Sequence, residues 1–220
     1  DYLLQNIFFS FFFTAFCLLI VINGTNFIDC NNLVVLGYYL ILLLIILFFN
    51  KHDFQTISKL NIFLLIELIS ILLIFNFLNK IYLGDNGALL IGSFFGIILV
   101  KFYLENTLKI SSFFIVLILW YPAFENLFSI IRKFYFSKSP TEPDNNHLHQ
   151  LLYFFLLKKF KFSKIFINNS VGLLITLYNS IIVCLAVNYA NHTQLMVSLI
   201  FFNIVVYITT YMFLINYKKK

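Results

Sequence analysis

The stretch NFLNKIYLGDNGA, residues 76–88, separates two long apolar runs and is the most informative segment of the chain. Asp85 stands between Gly84 and Gly87, at the start of an apolar run that predicts a helix from about Asn86 to Leu104. The free N–H groups and the positive dipole end of such a helix start favour a phosphate or the waters around a metal ion. A carboxylate at this place is also an ordinary helix N-cap, so the stretch alone leaves both interpretations open.

The composition fixes the class of protein. The 220 residues are 61% hydrophobic and only 11% charged, and the mean hydropathy is +0.93. No soluble core needs this much apolar surface, so the composition predicts an all-α fold, a polytopic helical bundle integral to a membrane. The cysteines lie far apart without a CxxC spacing and indicate neither a disulfide framework nor a zinc site. Because an apolar run begins directly after Asp1, we expect that an N-terminal part is missing.

About seven apolar runs are long enough to cross a bilayer. They lie at about residues 3–22, 33–50, 61–78, 88–104, 112–131, 169–190 and 195–217. Three polar islands interrupt them, and they are residues 23–32, 79–87 and 132–164. We therefore expect a single transmembrane domain over residues 1–220, with a cytoplasmic histidine-containing loop at 132–167.

The basic residues are divided unequally between the two sides of the membrane. Seven spans place all three islands and the C-terminus on one side, which then carries eleven of the fifteen Lys and Arg residues. By the positive-inside rule this is the cytoplasmic face of the plasma (inner) membrane. The rule also explains the net charge of +6, so we expect no nucleic-acid partner. Residues 157–164 alternate bases with aromatics, which a single-strand binding platform also does, but a contact with anionic lipid headgroups is favoured.

The first island carries Asn26, Asp29 and Asn32 at a spacing of three residues, which places them on one face of a helix. Carboxylate and amide groups that project together suit sugar hydroxyls, the edge of a uracil ring or the water shell of a metal. The alternative is a solvated cap at a helix end.

The third island carries His147 and His149, which could bind metal, hold a diphosphate or shuttle protons. A zinc site is poorly supported, since further ligands are absent nearby. Arg132 and Lys133 close the fifth apolar run and could clamp a phosphate or only anchor the membrane edge. Glu125 lies inside that run and needs a partner or a wet cavity, unless it reaches water at the nearby cytoplasmic end.

Three motifs resemble those of the polyprenyl-phosphate N-acetylhexosamine-1-phosphate transferases of glycosyltransferase family 4. Residues 23–29, NGTNFID, resemble the family motif N-x-x-N-F-I-D-G. Residues 76–87 resemble N-F-x-x-K-I-F-M-G-D-x-G, and residues 143–151 resemble P-D-R-x-H-I-H-H-L. The motifs follow the family's order, and the resemblance covers nearly the whole chain as the C-terminal two-thirds of such an enzyme. The third motif is more similar to the GlcNAc-type branch than to the muramoyl-pentapeptide branch.

The resemblance implies an Mg²⁺-dependent enzyme, with Mn²⁺ as a substitute. Asp85 and Asp29 would be catalytic and metal-binding, and His147 and His149 would be catalytic at the diphosphate or the sugar. Substrate-binding residues would be Asn26, Asn32, Asn76, Lys80, Tyr82 and Arg132, with Tyr82 stacked on uracil. The enzyme would move GlcNAc-1-phosphate, or another HexNAc-1-phosphate, from a UDP-N-acetylhexosamine to polyprenyl (undecaprenyl) phosphate in the bilayer. UMP would be released, the pathway would build cell wall or surface polysaccharide such as lipopolysaccharide, and a homodimer would be common.

The chain also departs from the family pattern. Cys30 replaces a Gly, Asn32 replaces an Asp, Gln150 replaces the last His and Glu125 replaces an Asp. The family's Asp-Asp motif would precede residue 1. Two other functions stay open: a membrane transporter, which would place ionisable residues deep in the spans, and a non-catalytic membrane scaffold related to the enzymes.

Overall fold

The computed structural model describes residues 6–49, 59–135 and 146–219, and within these ranges the chain is helical, with no strand. The helices of the described ranges are α1 Ile7–Ile28, α2 Val34–Phe49, α3 Lys59–Phe77, α4 Gly84–Glu105, α5 Ser112–Ile118, α6 Trp120–Tyr135, α7 Leu148–Lys159, α8 Lys164–Val187 and α9 Thr193–Lys219.

Each predicted apolar run forms a helix or a bent helix pair. Helices α1, α4, α8 and α9 are each long and apolar enough to cross a membrane. Helices α5 and α6 pass the same test together but meet at 73°. Helix α2 and the apolar part of α3, Asn61–Phe77, are shorter. The predicted all-α, polytopic membrane bundle is thus confirmed.

Polar side chains mark several helix starts. The side chain of Asn6 accepts hydrogen bonds from the N–H groups of Phe8 and Phe9 before α1. Ser111 and Ser163 cap α5 and α8 in the same way. Each cap satisfies N–H groups that have no partner within the helix. The break between α5 and α6 is followed by Pro122 in the first turn of α6, where the missing proline N–H costs no helical hydrogen bond.

Two glycines allow backbones to touch. Helix α1 packs against α4 and α6, and α2 packs against α3 and α8. A Cβ on Gly24 would overlap with the carbonyl oxygen of Pro122 in α6, and a Cβ on Gly172 in α8 would overlap with the carbonyl oxygen of Asn32. Since neither clash involves a movable side-chain end, these two glycines set the distance of α1 from α6 and of α8 from the first island.

Aromatic packing fills the interior next to the first island. The rings of Tyr39 and Phe95 stack with centroids 4.6 Å apart, and Tyr39 shares a buried hydrogen bond with Thr25 of α1. The Tyr38 hydroxyl donates to the carbonyl oxygen of Ile118 over 2.7 Å, at the bend between α5 and α6. These contacts join α1, α2, α4 and the bend into one framework, on which the polar islands rest.

The three islands meet at one end of the bundle, as the charge pattern predicts. At the other end, the Ser111 N–H donates to the carbonyl oxygen of Ala190 over 2.8 Å, and the hydroxyls of Ser111 and Thr193 are 2.9 Å apart. At the island end, Lys218 near the C-terminus donates to Asn146 over 2.8 Å. The structure therefore separates the islands from the connections that join α4 to α5 and α8 to α9.

Two expectations about local structure were wrong. Helix α4 begins at Gly84 and not near Asn86, and Leu83 occupies its N-cap position without a side-chain hydrogen bond. Asp85 consequently lies inside the first helical turn and is not the N-cap. The segment 132–167 is not a continuous loop either, because it contains α7 and the adjoining ends of α6 and α8. Residues 143–145 of the third motif lie outside the described residues.

The lysines at the end of α7 lie over aromatic rings. The Lys158 ammonium is 5.2 Å from the centroid of Tyr217, and that of Lys159 is 5.4 Å from the centroid of Phe155. Cations are favoured over ring faces and at the C-terminal end of a helix. Phe162 beyond them is 58% exposed. Contact of residues 157–164 with anionic headgroups stays a prediction.

Candidate functional site

A network of asparagines holds the first two islands together. Asn32 donates from Nδ2 to Oδ1 of Asn79 over 2.7 Å and to Oδ1 of Asn169 over 2.9 Å. Asn76 accepts the backbone N–H of Leu33 over 2.7 Å. Asn32 and Asn76, which the resemblance assigns to substrate binding, are both buried and bonded to protein. In the described structure they position the islands, and a direct contact with substrate stays a prediction.

The two predicted metal carboxylates lie close to each other. Asp29 follows the last residue of α1, and the N–H of Gly84 at the start of α4 donates to its carboxylate. The pKa of Asp29 is raised to about 7, first by burial and then by the negative charge of Asp85, while the Gly84 hydrogen bond opposes both. Asp85 itself is exposed in the first turn of α4. A cation next to both carboxylates would relieve their repulsion and favour their ionised forms.

The donor set limits which metal would suit this place. Among the residues that the structure describes, no group of three or more His, Cys, Asp or Glu side chains is arranged to hold a metal ion. Zinc in a protein site usually has three or four such ligands. Mg²⁺ is commonly held by one or two carboxylates while it keeps water or phosphate oxygens as its other ligands. Asp29 and Asp85 could therefore hold Mg²⁺ together with a diphosphate.

The histidines of the third island pack onto the end of α1. His147 is the N-cap residue of α7, and its N–H donates to the side chain of Gln150 over 3.3 Å. The rings of His147 and His149 are nearly parallel, at 8°, with centroids 5.5 Å apart. The Phe27 ring of α1 lies 5.4 Å from that of His147, and Gln150 donates to the Cys30 sulfur over 3.4 Å. All three islands are thus in contact.

Glu125 does not reach water, so that alternative was wrong. Its side chain is fully buried below α7. One carboxylate oxygen, Oε1, lies 2.9 Å from Nδ1 of His147 and accepts the Leu148 N–H over 3.4 Å. The other, Oε2, accepts the Tyr207 hydroxyl of α9 over 2.8 Å. The sequence called for a partner to this carboxylate, but it did not identify His147 and Tyr207 or count Glu125 among the site residues.

Two buried polar atoms of the predicted site residues have no hydrogen-bond partner in the described structure. They are Oδ1 of Asn26 and Nε2 of His149. The other ring nitrogen of His149, Nδ1, lies 3.4 Å from the Tyr121 hydroxyl. An unsatisfied buried polar group is costly and needs an explanation such as a ligand or an ordered water. These two atoms are therefore the best candidates among the buried groups for direct contact with a ligand.

His149 is held in its neutral form. Complete burial lowers its pKa to about 4; the Glu125 charge opposes this shift and the neighbouring His147 adds to it. At neutral pH the ring then carries one N–H and one lone pair. It suits a hydrogen bond to a sugar or phosphate oxygen better than a cationic clamp on a diphosphate.

The lowered pKa of His149 predicts an acid-sensitive fold. The unfolded chain takes up this proton near pH 6.5, and the folded chain only near pH 4. Stability is therefore complete above pH 6.5 and is lost as the pH falls from 6.5 to 4. The loss is on the order of 3 kcal/mol. We expect the melting temperature of His149→Gln in detergent to rise relative to that of the wild-type protein as the pH falls across this window.

His192→Gln is the matched control, because His192 is an exposed histidine. It should retain the pH dependence of the wild-type melting temperature. Asp29, whose pKa is raised, contributes the opposite slope in all three proteins, so the comparison between variants isolates His149. The same pH dependence in wild type and His149→Gln would contradict the neutral, buried state of His149.

The remaining predicted substrate contacts divide into buried and open groups. Arg132 is buried and donates to the carbonyl oxygen of Asn146 over 2.6 Å and to the Tyr211 hydroxyl over 3.2 Å. Through these two hydrogen bonds, Arg132 connects Asn146 of the third island to Tyr211 of α9. The side chains of Lys80 and Tyr82 are exposed just before α4, and Tyr82 is 68% exposed. An open aromatic ring beside a helix start is compatible with base stacking, which stays a prediction.

Comparisons with known proteins agree with the first two motifs. A model of the family described as glycosyl transferase family 4 matches residues 2–103. An undecaprenyl-phosphate alpha-N-acetylglucosaminyl 1-phosphate transferase of Thermotoga maritima is 32% identical over 72 residues, which is 33% of this chain and 23% of that protein. No solved structure matches. Asp29 and Asp85 lie inside the family match, whereas His147 and His149 lie beyond it.

Proposed function

We propose, from the match of glycosyl transferase family 4 to residues 2–103, that this chain transfers a sugar-1-phosphate to a polyprenyl phosphate. The donor is a UDP-N-acetylhexosamine and the second product is UMP. The single observation that carries the proposal is the pairing of Asp29 with Asp85 at the start of α4, at the end of a membrane bundle. A carboxylate pair next to a helix N-terminus suits a diphosphate and its metal ion.

The chemistry is a displacement at phosphorus. A phosphate oxygen of the polyprenyl phosphate bonds to the phosphorus that carries the sugar. The bond from that phosphorus to the bridging oxygen breaks, and UMP leaves with this oxygen. Asp85 and Asp29 would hold Mg²⁺, or Mn²⁺ in its place, which when bound offsets the negative charge of the transferred phosphate.

The chain's own groups bind and orient the donor in this proposal. The N–H groups at the start of α4 hold phosphate oxygens, and Tyr82 stacks on the uracil. Asn26 and His149 supply their unpartnered polar atoms to the donor. His147, fixed at the start of α7, faces the same group of islands and contacts the diphosphate or the sugar.

A lipid acceptor explains why the site lies at the end of transmembrane helices. The long chain of a polyprenyl phosphate stays in the bilayer, and only its phosphate reaches the islands. The excess of Lys and Arg on the island side supports a site on the cytoplasmic face of the plasma membrane, where UDP-sugars are made. A homodimer is compatible with the exposed apolar helix faces and stays a prediction.

GlcNAc is the proposed sugar. The form of residues 143–151 resembles the GlcNAc-type branch, and the Thermotoga maritima relative is named for transfer of N-acetylglucosaminyl 1-phosphate. The product, a polyprenyl diphosphate carrying GlcNAc, suits the synthesis of cell wall or surface polysaccharide such as lipopolysaccharide.

The reaction class is tested in membranes from cells that express the complete protein. UDP-GlcNAc, undecaprenyl phosphate and Mg²⁺ are supplied, and UMP release is measured with and without EDTA. We expect UMP only when both the lipid and the divalent ion are present, and recovery after EDTA when Mg²⁺ is restored. Replacing the donor with UDP-GalNAc or UDP-glucose then tests the sugar. Folded protein that releases no UMP from any donor would favour the non-catalytic scaffold.

A further inference from the structure

We propose that Glu125 is a positioning residue that fixes the ring and the tautomer of His147, an inference that rests on the proposed function. The contact joins α6 to the start of α7, 22 residues further along the chain. Its consequence is that Nε2 becomes the His147 ring atom available to a substrate. None of the three motifs that resemble the transferases includes Glu125.

Both oxygens of the Glu125 carboxylate are engaged in hydrogen bonds within the protein. The side chain has no exposed surface. Oε1 is shared by His147 and the N–H of Leu148, while Oε2 is held by the Tyr207 hydroxyl. A buried ionised carboxylate persists only when it is bonded in this way. Its plane is therefore fixed from two sides, by α7 and by α9.

The tautomer of His147 follows from this arrangement. An ionised carboxylate can only accept hydrogen bonds, so the 2.9 Å contact requires the proton to sit on Nδ1 of His147. In the neutral ring, Nε2 then carries a lone pair that can accept a proton or a hydrogen bond. The Phe27 and His149 rings hold the plane of the imidazole. Glu125 thus supplies the electrostatic part of the orientation, and the two rings supply the steric part.

Other polar groups around Glu125 do not replace it. Tyr121 and His149 are bonded to each other over 3.4 Å, and Arg132 is held by Asn146 and Tyr211. The Tyr207 hydroxyl bonds the far oxygen, Oε2. Nδ1 of His147 has Glu125 as its side-chain partner.

Two substitutions of Glu125 separate its hydrogen-bond acceptor from its shape, and Glu125→Gln is the one that keeps the shape of the side chain. Its amide oxygen can accept from Nδ1–H of His147 and from the Leu148 N–H, and its NH₂ group can donate to the Tyr207 hydroxyl, so Glu125→Gln should keep the Nδ1–H tautomer and serves as the isosteric control. Glu125→Leu removes both acceptor oxygens at a similar side-chain size, so the Nδ1–H tautomer loses its stabilisation in that variant. We expect the proton of His147 to move to Nε2. Histidine ¹⁵N resonances of the purified protein report the tautomer of each ring without any turnover, and His147→Gln assigns the relevant signals among the four histidines.

Kinetics provide a second, independent readout. We expect Glu125→Leu to lower kcat for UMP formation about 100-fold, within the range for loss of an oriented general acid or base, while KM for the UDP-sugar changes less than about 3-fold. In a His147→Gln background, the same substitution should have almost no further effect, because both substitutions disrupt the same Glu125–His147 contact. Tyr207→Phe is the control: it removes one bond from Oε2 and leaves Oε1 on His147, so kcat should fall far less.

Two results would overturn the positioning role. One is an unchanged His147 tautomer in Glu125→Leu, and the other is a full multiplication of the kcat losses of Glu125→Leu and His147→Gln. The ¹⁵N measurement does not depend on the reaction. A wild-type protein without UMP formation but with the Nδ1–H tautomer would therefore refute the proposed function and leave the Glu125–His147 contact supported.

Discussion

Asp85→Asn is expected to lower the rate of UMP formation about 10³-fold, which corresponds to about 4 kcal/mol of transition-state stabilisation. The substitution keeps the size of the side chain and removes the negative charge that would hold the metal ion at the diphosphate. Asp85 is exposed, so the fold itself should lose little. Its favourable place at the N-terminus of α4 contributes only about 0.3–1 kcal/mol. UMP release at saturating UDP-GlcNAc and lipid, over a series of Mg²⁺ concentrations, measures the effect.

Glu105→Gln is the matched control for Asp85→Asn. Glu105 is also an exposed carboxylate of α4, but it lies at the opposite end of that helix and far from the islands. Its neutralisation should leave UMP formation unchanged. Wild-type activity in Asp85→Asn would remove Asp85 from the metal role, and an equal loss in both variants would indicate a general effect on α4. Neither substitution should change the packing of the bundle, because both side chains are exposed.

Gly172→Ala is expected to destabilise the protein by about 3 kcal/mol or more, the upper range for overpacking a tight contact. The new methyl group would overlap with the backbone carbonyl oxygen of Asn32. The loop around Asn32 has little room to move, because Leu33 adopts a left-handed φ of 71° and Asn32 bonds to Asn79 and Asn169. We expect a clear drop in melting temperature in detergent, measured by tryptophan fluorescence or circular dichroism.

Gly96→Ala separates steric overlap from the general effect of adding a methyl group. Gly96 also lies inside a transmembrane helix, but its Cβ would meet only the end of the Leu18 side chain, which can rotate away. The gain in helix propensity over Gly should offset most of that strain. Equal melting temperatures for Gly172→Ala and Gly96→Ala would contradict the close approach of α8 to the first island. Residual Gly172→Ala protein should also lose activity, since this contact positions the loop that carries Asp29.

Much of the architecture follows from local sequence. The apolar runs predict the transmembrane helices, and the positions of Lys and Arg predict which connections share a side. Asp29 and Asp85 are recognisable because each is a carboxylate in a polar island bordered by apolar helix. Errors occur at boundaries, as at Gly84, where flanking glycine and leucine give no clear helix start. Hydropathy also gave no sign that α5 and α6 would meet at 73°.

The sequence by itself determined which segments are apolar enough to enter a membrane, because that free energy depends on the composition of each segment. Only the tertiary structure decided which polar side chains meet. The bend before α6 carries Glu125 to His147, and the packing of α8 brings Asn169 to Asn32, 137 residues away in the chain. Such contacts depend on helix crossing and bending, which no local pattern encodes. For the same reason, the sequence did not show that Arg132 is buried and bonded to Tyr211, and its contact with a phosphate stays a prediction.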